Sequence, residues 1–220
     1  INHVEDIVKK DNSIKAILPV HYGGEAVDLK ILWDLADKYG LFILEDAAHA
    51  LETVTNDNIK VGCTDHAAAF SFYANKNIST FGEGGAIATN NAALAERIKK
   101  LSLHGITKDG WNRFKSNGSW EYDITELGFK YNLTDIAASF GIWQMDFISQ
   151  WQERRKEIVE QYQNGLKEID GILLPNISKG HSKHLYVIQL QLEKWKISRN
   201  QFIEEMSKRG IGLAVHYKPI

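Results

Sequence analysis

The chain has 220 residues, and its mixture of 44% apolar and 25% charged residues excludes a wholly disordered protein. Its 26 basic and 28 acidic residues give a formal net charge of −2, which provides no basic surface for a nucleic-acid partner. The single cysteine suits the reducing cytoplasm, and no apolar run approaches the roughly 20 residues that span a bilayer, so no membrane partner is expected.

The first half of the chain predicts alternating strands and helices. In chain order the predicted elements are a helix that ends near residue 10, a strand at 15–20, a helix at 28–39 closed by Gly40, a strand at 41–44, strands at 67–72 and 84–89, and a helix at 91–101 capped by Asn91. The first strand, helix and strand form a βαβ unit, which favours parallel pairing.

The second half predicts a long loop and a smaller α+β piece. Its predicted elements are a loop at 104–128, helices at 134–148 and 151–169, a linker-like stretch at 175–183, a strand at 184–190, a helix at 198–209 capped by Ser198, and a strand at 211–217. We therefore expect a large α/β domain over residues 1–150 and the beginning of a smaller domain over 151–220. Because the chain begins with Ile1 and stops just after a predicted strand, we expect it to be part of a longer protein.

Three polar segments follow the predicted parallel strands, at the edge where open α/β sheets bind ligands. They are HYGG (21–24), EDAAH (45–49) and SFYANK (71–76). A carboxylate there can simply cap a helix and a lysine can simply be solvated, but their joint placement favours a ligand site. The turn GEGG (82–85) either exposes backbone N–H groups to an anion or is a tight turn that requires positive φ.

Other kinds of site are disfavoured by the motifs that are missing. The GEGG turn lacks the Gly-Lys-Ser/Thr ending of a phosphate-binding loop and does not open a helix in a GxGxxG pattern. The eight histidines are scattered without HExxH or CxxC partners, so no metal is expected. Ser71 lacks the GxSxG surroundings of a hydrolase nucleophile.

Six segments resemble the DegT/DnrJ/EryC1/StrS family of sugar aminotransferases, which use pyridoxal phosphate (PLP). They are PVHYGG (19–24), EDAAHA (45–50), FSFYANKNISTFGEGGA (70–86), LHGI (103–106), GFKYNLTDIAAS (128–139) and GIGLAVHYKPI (210–220), in the family order. The resemblance implies the type I PLP-dependent transferase fold, which is aspartate aminotransferase-like. This fold has a large PLP-binding α/β domain with a mostly parallel central sheet, followed by a smaller α+β C-terminal domain. Residues 1–150 would be the C-terminal part of the large domain, and residues 151–220 the beginning of the small one.

The resemblance also implies roles for four residues at the cofactor. Lys76 looks like the catalytic Schiff-base lysine, whose free amine later moves a proton. Asp46 looks like the catalytic carboxylate that keeps the pyridine nitrogen protonated. His49 is similar to the residue beside the ring hydroxyl, and Ser71 to the serine that holds the cofactor phosphate.

A homodimer with shared active sites is implied by the segment KYNLTD. Asn132 resembles a residue that reaches the phosphate in the partner subunit's site, and Lys130 is the rival aligned position. Four further residues look placed to bind the substrate or shape its pocket: His21, Tyr22, His104 and His216. The family's phosphate-cradling Gly-Thr-type turn and its ring-stacking aromatic residue are absent from residues 1–220, and we expect them elsewhere in the longer protein.

The implied activity is the transfer of an amino group from glutamate to a keto group of a nucleotide-linked deoxysugar, for polysaccharide or glycan precursors. Two alternatives stay open. One is a non-catalytic homologue with the PLP fold, which dimerises or regulates. The other is a PLP-dependent sugar dehydratase, against which Lys76 argues because family dehydratases have histidine at this position.

Overall fold

A four-stranded sheet carries the candidate site in the computed structural model, which describes residues 2–107 and 122–217. Its strands are β1 (Ala16–Ile17), β2 (Phe42–Asp46), β3 (Ala67–Ser71) and β4 (Gly85–Ala88), in that spatial order. The first two pairs are parallel and the last pair is antiparallel. The predicted α/β architecture with a mostly parallel sheet is confirmed.

The described residues also form six α-helices and a small second sheet. The helices are α1 (Asn2–Lys10), α2 (Leu29–Tyr39), α3 (Ala92–Leu101), α4 (Asp135–Met145), α5 (Ile148–Leu166) and α6 (Arg199–Lys208). The antiparallel strands β5 (Ile172–Leu173) and β6 (Gln189–Leu190) form the second sheet, and residues 22–24 and 192–194 form short 3₁₀ turns. No helix in these ranges is long and apolar enough to cross a membrane.

Local side-chain chemistry sets the helix limits. Asn91 and Ser198 accept N–H groups from the first turns of α3 and α6, so both predicted caps are confirmed. Gly40 ends α2 at a φ of 64°, a left-handed conformation that glycine adopts without strain. The apolar stripe of α2 packs with Ile43 of β2 and Val8 of α1 into a buried cluster.

Three predicted strands differ from the structure. The strand at 15–20 is limited to β1 because Pro19 has no N–H for the ladder. The strand at 184–190 shrinks to β6, and its first two residues belong to the segment 177–185, which instead binds Gly23 and Gly24. Residues 211–217 form no strand, since no segment in the described ranges pairs with them.

The chain divides into two compact units. Unit 1 contains Ile1–Arg154 and Ile177–Leu185, and unit 2 contains Arg155–Asn176 and Tyr186–Ile220. Most of the stretch predicted as a linker, 175–183, therefore belongs to unit 1 as part of residues 177–185. The domain limit near residue 150 stays a prediction.

Candidate active site

The carboxyl edge of the sheet brings together the segments that follow β1, β2 and β3. Asp46 ends β2 and Ser71 ends β3. A parallel bridge between Val20 and Asp46 adds the segment after β1. There the N–H of His21 donates to the carbonyl oxygen of Asp46 at 3.1 Å, and the N–H of Asp46 donates to that of Pro19 at 2.8 Å. The parallel ladder thus fixes the backbone around Asp46.

Lys76 and Asp46 interact electrostatically at this edge. Lys76 is half-buried on the turn after β3, where its N–H donates to the carbonyl oxygen of Tyr73 at 3.0 Å. Burial lowers the pKa of the Lys76 ammonium below its usual range, and the Asp46 carboxylate opposes this by raising it. The carboxylate itself is exposed and accepts the N–H of Ala48 at 3.1 Å. A lysine with a lowered pKa beside an anchored carboxylate suits nucleophilic amine chemistry.

The turn that carries Lys76 is closed by hydrogen bonds across its base. The N–H of Phe72 donates to the carbonyl oxygen of Gly84 at 2.8 Å, and the N–H of Thr80 donates to that of Phe72 at 3.1 Å. The Thr80 hydroxyl donates to the carbonyl oxygen of Glu83 at 2.7 Å. Gly84 has a φ of 154°, and a Cβ atom there would collide with this hydroxyl. These contacts favour the tight-turn interpretation of GEGG.

His49 is held by a backbone donor at one ring nitrogen. Its ring is buried, and its Nδ1 accepts the N–H of Gly23 at 3.2 Å. Because Nδ1 accepts, the ring carries its proton on Nε2, which can donate to a ligand oxygen. The ring of Tyr22 lies 6.0 Å from that of His49, and Gly23 reaches this position with a φ of 67°.

His21 forms a fully buried pair with Glu45. Its Nδ1 accepts the N–H of Val27 at 3.2 Å, so Nε2 carries the proton that it donates to Glu45 Oε2, also at 3.2 Å. Glu45 Oε1 has no hydrogen-bond partner among the described residues. Because both side chains are 0% exposed, the expected contact of His21 with a substrate has no support here. The pair instead fixes residues 21–27 against β2.

The remaining predicted residues lie on several segments. Ser71 is half-buried and its hydroxyl accepts the N–H of Tyr73 at 3.3 Å. Lys130 donates to the Asn132 side chain, and Asn132 lines a cleft of about 970 Å³ together with Phe70. Their predicted contacts with a cofactor stay predictions.

The two other predicted histidines are His104 and His216. His104 is exposed, and its N–H donates to the carbonyl oxygen of Phe129 at 2.8 Å. His216 belongs to unit 2, where its ring lies 4.7 Å from that of Tyr217. The loop expected at 104–128 lies partly outside the described residues.

Three residues that sequence reasoning missed contact the predicted ones: Asn77, Ser182 and His184. Asn77 directly follows Lys76, the ring of His184 lies 4.5 Å from that of His49, and the Ser182 hydroxyl donates to the His49 carbonyl oxygen at 2.8 Å. The sequence marks Asn77 only as a polar neighbour of Lys76, and it marks Ser182 and His184 only as members of the polar run HSKH at 181–184. Within residues 2–107 and 122–217, no group of His, Cys, Asp or Glu side chains could hold a metal ion.

Solved structures share this fold. The PMP form of Spr1654 from Streptococcus pneumoniae is 32% identical and matches with a TM-score of 0.84 over 98% of this chain and 59% of its own. The same protein is also solved in a PLP form. PseC of Helicobacter pylori, an aminotransferase involved in the biosynthesis of pseudoaminic acid, is 29% identical, with a TM-score of 0.86 over 98% of this chain and 56% of its own.

Sequence relatives agree with these structures. The spore coat polysaccharide biosynthesis protein SpsC of Bacillus subtilis is 41% identical over 209 residues, which are 94% of this chain and 53% of SpsC. The chain thus spans about half the length of the curated relatives it matches. The type I fold of PLP-dependent transferases is confirmed, and PLP is the cofactor of the family. The family model matches residues 1–220, and the chain belongs to the DegT/DnrJ/EryC1/StrS aminotransferase family.

Proposed function

We propose that this chain carries the catalytic lysine and carboxylate of a PLP-dependent sugar aminotransferase. The proposal is carried by the environment of Lys76 at the carboxyl edge of the sheet. Burial lowers the pKa of Lys76 there, and the charge of Asp46 acts on it. The acceptor that we propose is a keto group of a nucleotide-linked deoxysugar, and the donor is glutamate. The names of SpsC and PseC support a sugar substrate and a role in glycan precursors.

The chemistry of the donor set at the sheet edge fits PLP. Lys76 offers an amine, Asp46 a carboxylate for the ring nitrogen, His49 an N–H for the ring hydroxyl, and Ser71 a hydroxyl for the phosphate. When bound, PLP supplies an aldehyde that combines with amines and a ring that withdraws electrons from the reacting carbon. These four residues are the ones that we expect to hold it.

Each of these side chains has a defined task in this proposal. The Asp46 carboxylate keeps a proton on the ring nitrogen, because a negative charge favours the protonated form. Lys76 Nζ would hold the cofactor through its aldehyde, and as a free amine it would hold or move a proton beside the reacting carbon. A lowered pKa brings this amine closer to neutral pH, where proton transfer in both directions is fastest.

The proposed assembly is a homodimer in the cytoplasm with shared active sites. Asn132, or alternatively Lys130, reaches the phosphate in the partner's site. Tyr22, His104 and His216 remain the proposed substrate-binding residues. Full burial of His21 supports a structural task for this histidine.

Trapping with borohydride tests the proposal on the full-length protein. The protein is incubated with PLP, reduced and digested, and mass spectrometry is expected to find a pyridoxyl group on Lys76. The group is expected to vanish in Lys76→Ala and to persist in Lys60→Ala, which removes an exposed lysine paired with Glu52. A folded protein that acquires no pyridoxyl group, or acquires it elsewhere, would contradict the proposal.

The reaction itself is tested with glutamate alone. An aminotransferase loaded with PLP is expected to release one equivalent of 2-oxoglutarate per site without any sugar. Labelling of Lys76 without release of 2-oxoglutarate would contradict glutamate as the donor.

A further inference from the structure

Asn77, the residue after Lys76, joins the lysine-bearing turn to two other segments. Its side chain is buried, with 6% exposed. Nδ2 donates to the carbonyl oxygen of Leu51 at 3.3 Å, and Oδ1 lies 3.0 Å from Nδ1 of His184. Since the amide nitrogen donates to Leu51, the amide oxygen is the acceptor, and His184 must carry a proton on Nδ1.

The ring of His184 lies against the ring of His49. Their centroids are 4.5 Å apart, with an angle of 36° between the planes. The N–H of Gly23 binds Nδ1 of His49 at the ring edge. The orientation of His49 is therefore fixed by a backbone donor at its edge and by the face of a second imidazole.

The segment that carries His184, residues 177–185, is bound to Gly23 and Gly24. The N–H of Ser182 donates to the carbonyl oxygen of Gly24 at 3.0 Å, and the N–H of Leu185 donates to that of Gly23 at 3.0 Å. Gly24 has a φ of 105°, and a Cβ atom there would collide with the Ser182 hydroxyl. This close approach leaves His184 little freedom to move away from Asn77 and His49.

We propose that His184 is a positioning residue of the cofactor site, which acts through Asn77 on the turn that carries Lys76 and through ring contact on His49. The proposal rests on the proposed function, because it assigns these neighbours to PLP. His184 touches no reacting atom in this proposal. It keeps the Lys76 amine and the Nε2–H of His49 in a fixed relation, which binding of one rigid cofactor requires.

Removal of the ring is expected to weaken PLP binding. His184→Ala leaves the buried Oδ1 of Asn77 without its donor from His184 and one face of His49 without its neighbour. Loss of one buried hydrogen bond of this kind corresponds to about tenfold weaker binding when the lost interaction supports the bound state. Asn77→Ala removes the same hydrogen bond but keeps the ring, so its effect is expected to be smaller.

The experiment uses the full-length protein and PLP, with two readouts that do not require turnover. PLP affinity is measured by absorbance titration, and the visible band of the bound cofactor is then titrated against pH. In His184→Ala and Asn77→Ala the midpoint of the pH titration is expected to shift in the same direction. The double variant is expected to shift less than the sum of the two, because both substitutions remove one shared bond.

A histidine outside the site provides the matched control. His66 also accepts a backbone N–H, that of Ile43 at 3.3 Å, and contacts the ring of Phe42. His66→Ala is expected to change thermal stability but neither PLP affinity nor the pH midpoint. A merely structural role of His184 predicts this same pattern for His184→Ala.

The possible outcomes separate the two proposals. If the wild-type protein shows no pyridoxyl group on Lys76, the proposed function fails. If the wild type binds PLP but the folded variants keep its affinity and pH midpoint, or if the two shifts are strictly additive, the positioning role is overturned. Should His184→Ala not fold, Asn77→Ala decides by the same titration.

Discussion

Lys76 is subject to two opposing electrostatic influences. Burial disfavours its charged form and is the larger of the two, while the carboxylate of Asp46 favours the charged form. The net result is a pKa below that of an ordinary lysine. The nucleophile is the neutral amine, so this balance determines how much of Lys76 can react at a given pH.

The balance can be tested by Asp46→Asn in the full-length protein without cofactor. The substitution removes the charge that raises the pKa of Lys76, so this pKa is expected to fall further. Competitive acetylation over a pH series, read by mass spectrometry on the Lys76 peptide, is expected to show the midpoint moving to lower pH. Asp57→Asn removes an exposed carboxylate elsewhere in unit 1 and serves as control. An unchanged or higher midpoint in Asp46→Asn would refute the coupling.

Local patterns point to the candidate residues at the strand ends but not to the side chains that hold them in place. Asp46 and Ser71 were recognisable because each ends an apolar strand, and Lys76 because it lies five residues beyond Ser71 in a family motif. The contact between Asn77 and His184 joins residues 107 positions apart, and no periodicity encodes such a pair. The burial of His21 against Glu45 is equally hidden in the sequence, since only the structure shows this contact.

At the scale of elements, helix α4 holds the Lys76 turn through one side chain. Gln144 is 6% exposed; its Oε1 accepts the N–H of Ser79 at 3.1 Å, and its Nε2 donates to the carbonyl oxygens of Ser79 and Phe140. Gln144 therefore satisfies both backbone polar groups of Ser79. The turn depends on this tie as well as on its own internal bonds.

Gln144→Ala is expected to destabilise the protein by about 1–3 kcal/mol, because it leaves partly buried backbone groups of Ser79 unsatisfied. Urea unfolding is expected to show a lower midpoint with an unchanged m-value. Gln150→Ala, on the exposed side of α5, is the matched control and is expected to stay within about 0.5 kcal/mol. Equal midpoints for the two variants would contradict the role of Gln144.

Capped helix starts were predictable because caps act within a few residues, whereas strand limits depend on distant partners. The helix limits without such a cap were not, since the helix predicted at 151–169 is α5 (Ile148–Leu166) and the one predicted at 134–148 ends at Met145. Thr134 caps α4 and Ser198 caps α6 with a reciprocal bond to Gln201, as their residue types indicate. The apolar run at 211–217 has a strand-like pattern, but a strand forms only when a neighbour satisfies its backbone groups. Such a neighbour is a property of the fold and not of the run itself.

At the scale of the whole molecule, α4 and the segment before it expose large apolar side chains. Leu127 is 96% exposed, Tyr131 and Ile136 are each 74% exposed, and Ile142 is 68% exposed. The helix carries apolar residues around most of its circumference, which is typical of a helix that is covered on several sides. Asn132 lies within this region, and the exposure supports the homodimer that we propose.

Shared active sites in this homodimer predict complementation between two inactive variants. Lys76→Ala and Asn132→Ala are co-expressed with different affinity tags, and the mixed dimer is isolated by purification on both tags. If Asn132 serves the partner's site, one of the two sites combines an intact Lys76 with an intact Asn132. The mixed dimer is then expected to regain about half of the wild-type activity per dimer, while each parent dimer stays low.

The same complementation test with Lys130→Ala in place of Asn132→Ala decides between the rival positions. Only a substitution of the residue that crosses to the partner's site can complement Lys76→Ala. Two controls accompany it. A mixed dimer of wild type and Lys76→Ala is expected to keep about half of the activity, and two differently tagged copies of Lys76→Ala none. If neither Asn132→Ala nor Lys130→Ala complements, each site is built within one subunit. The exposed apolar face of α4 would then be covered without any exchange of catalytic groups.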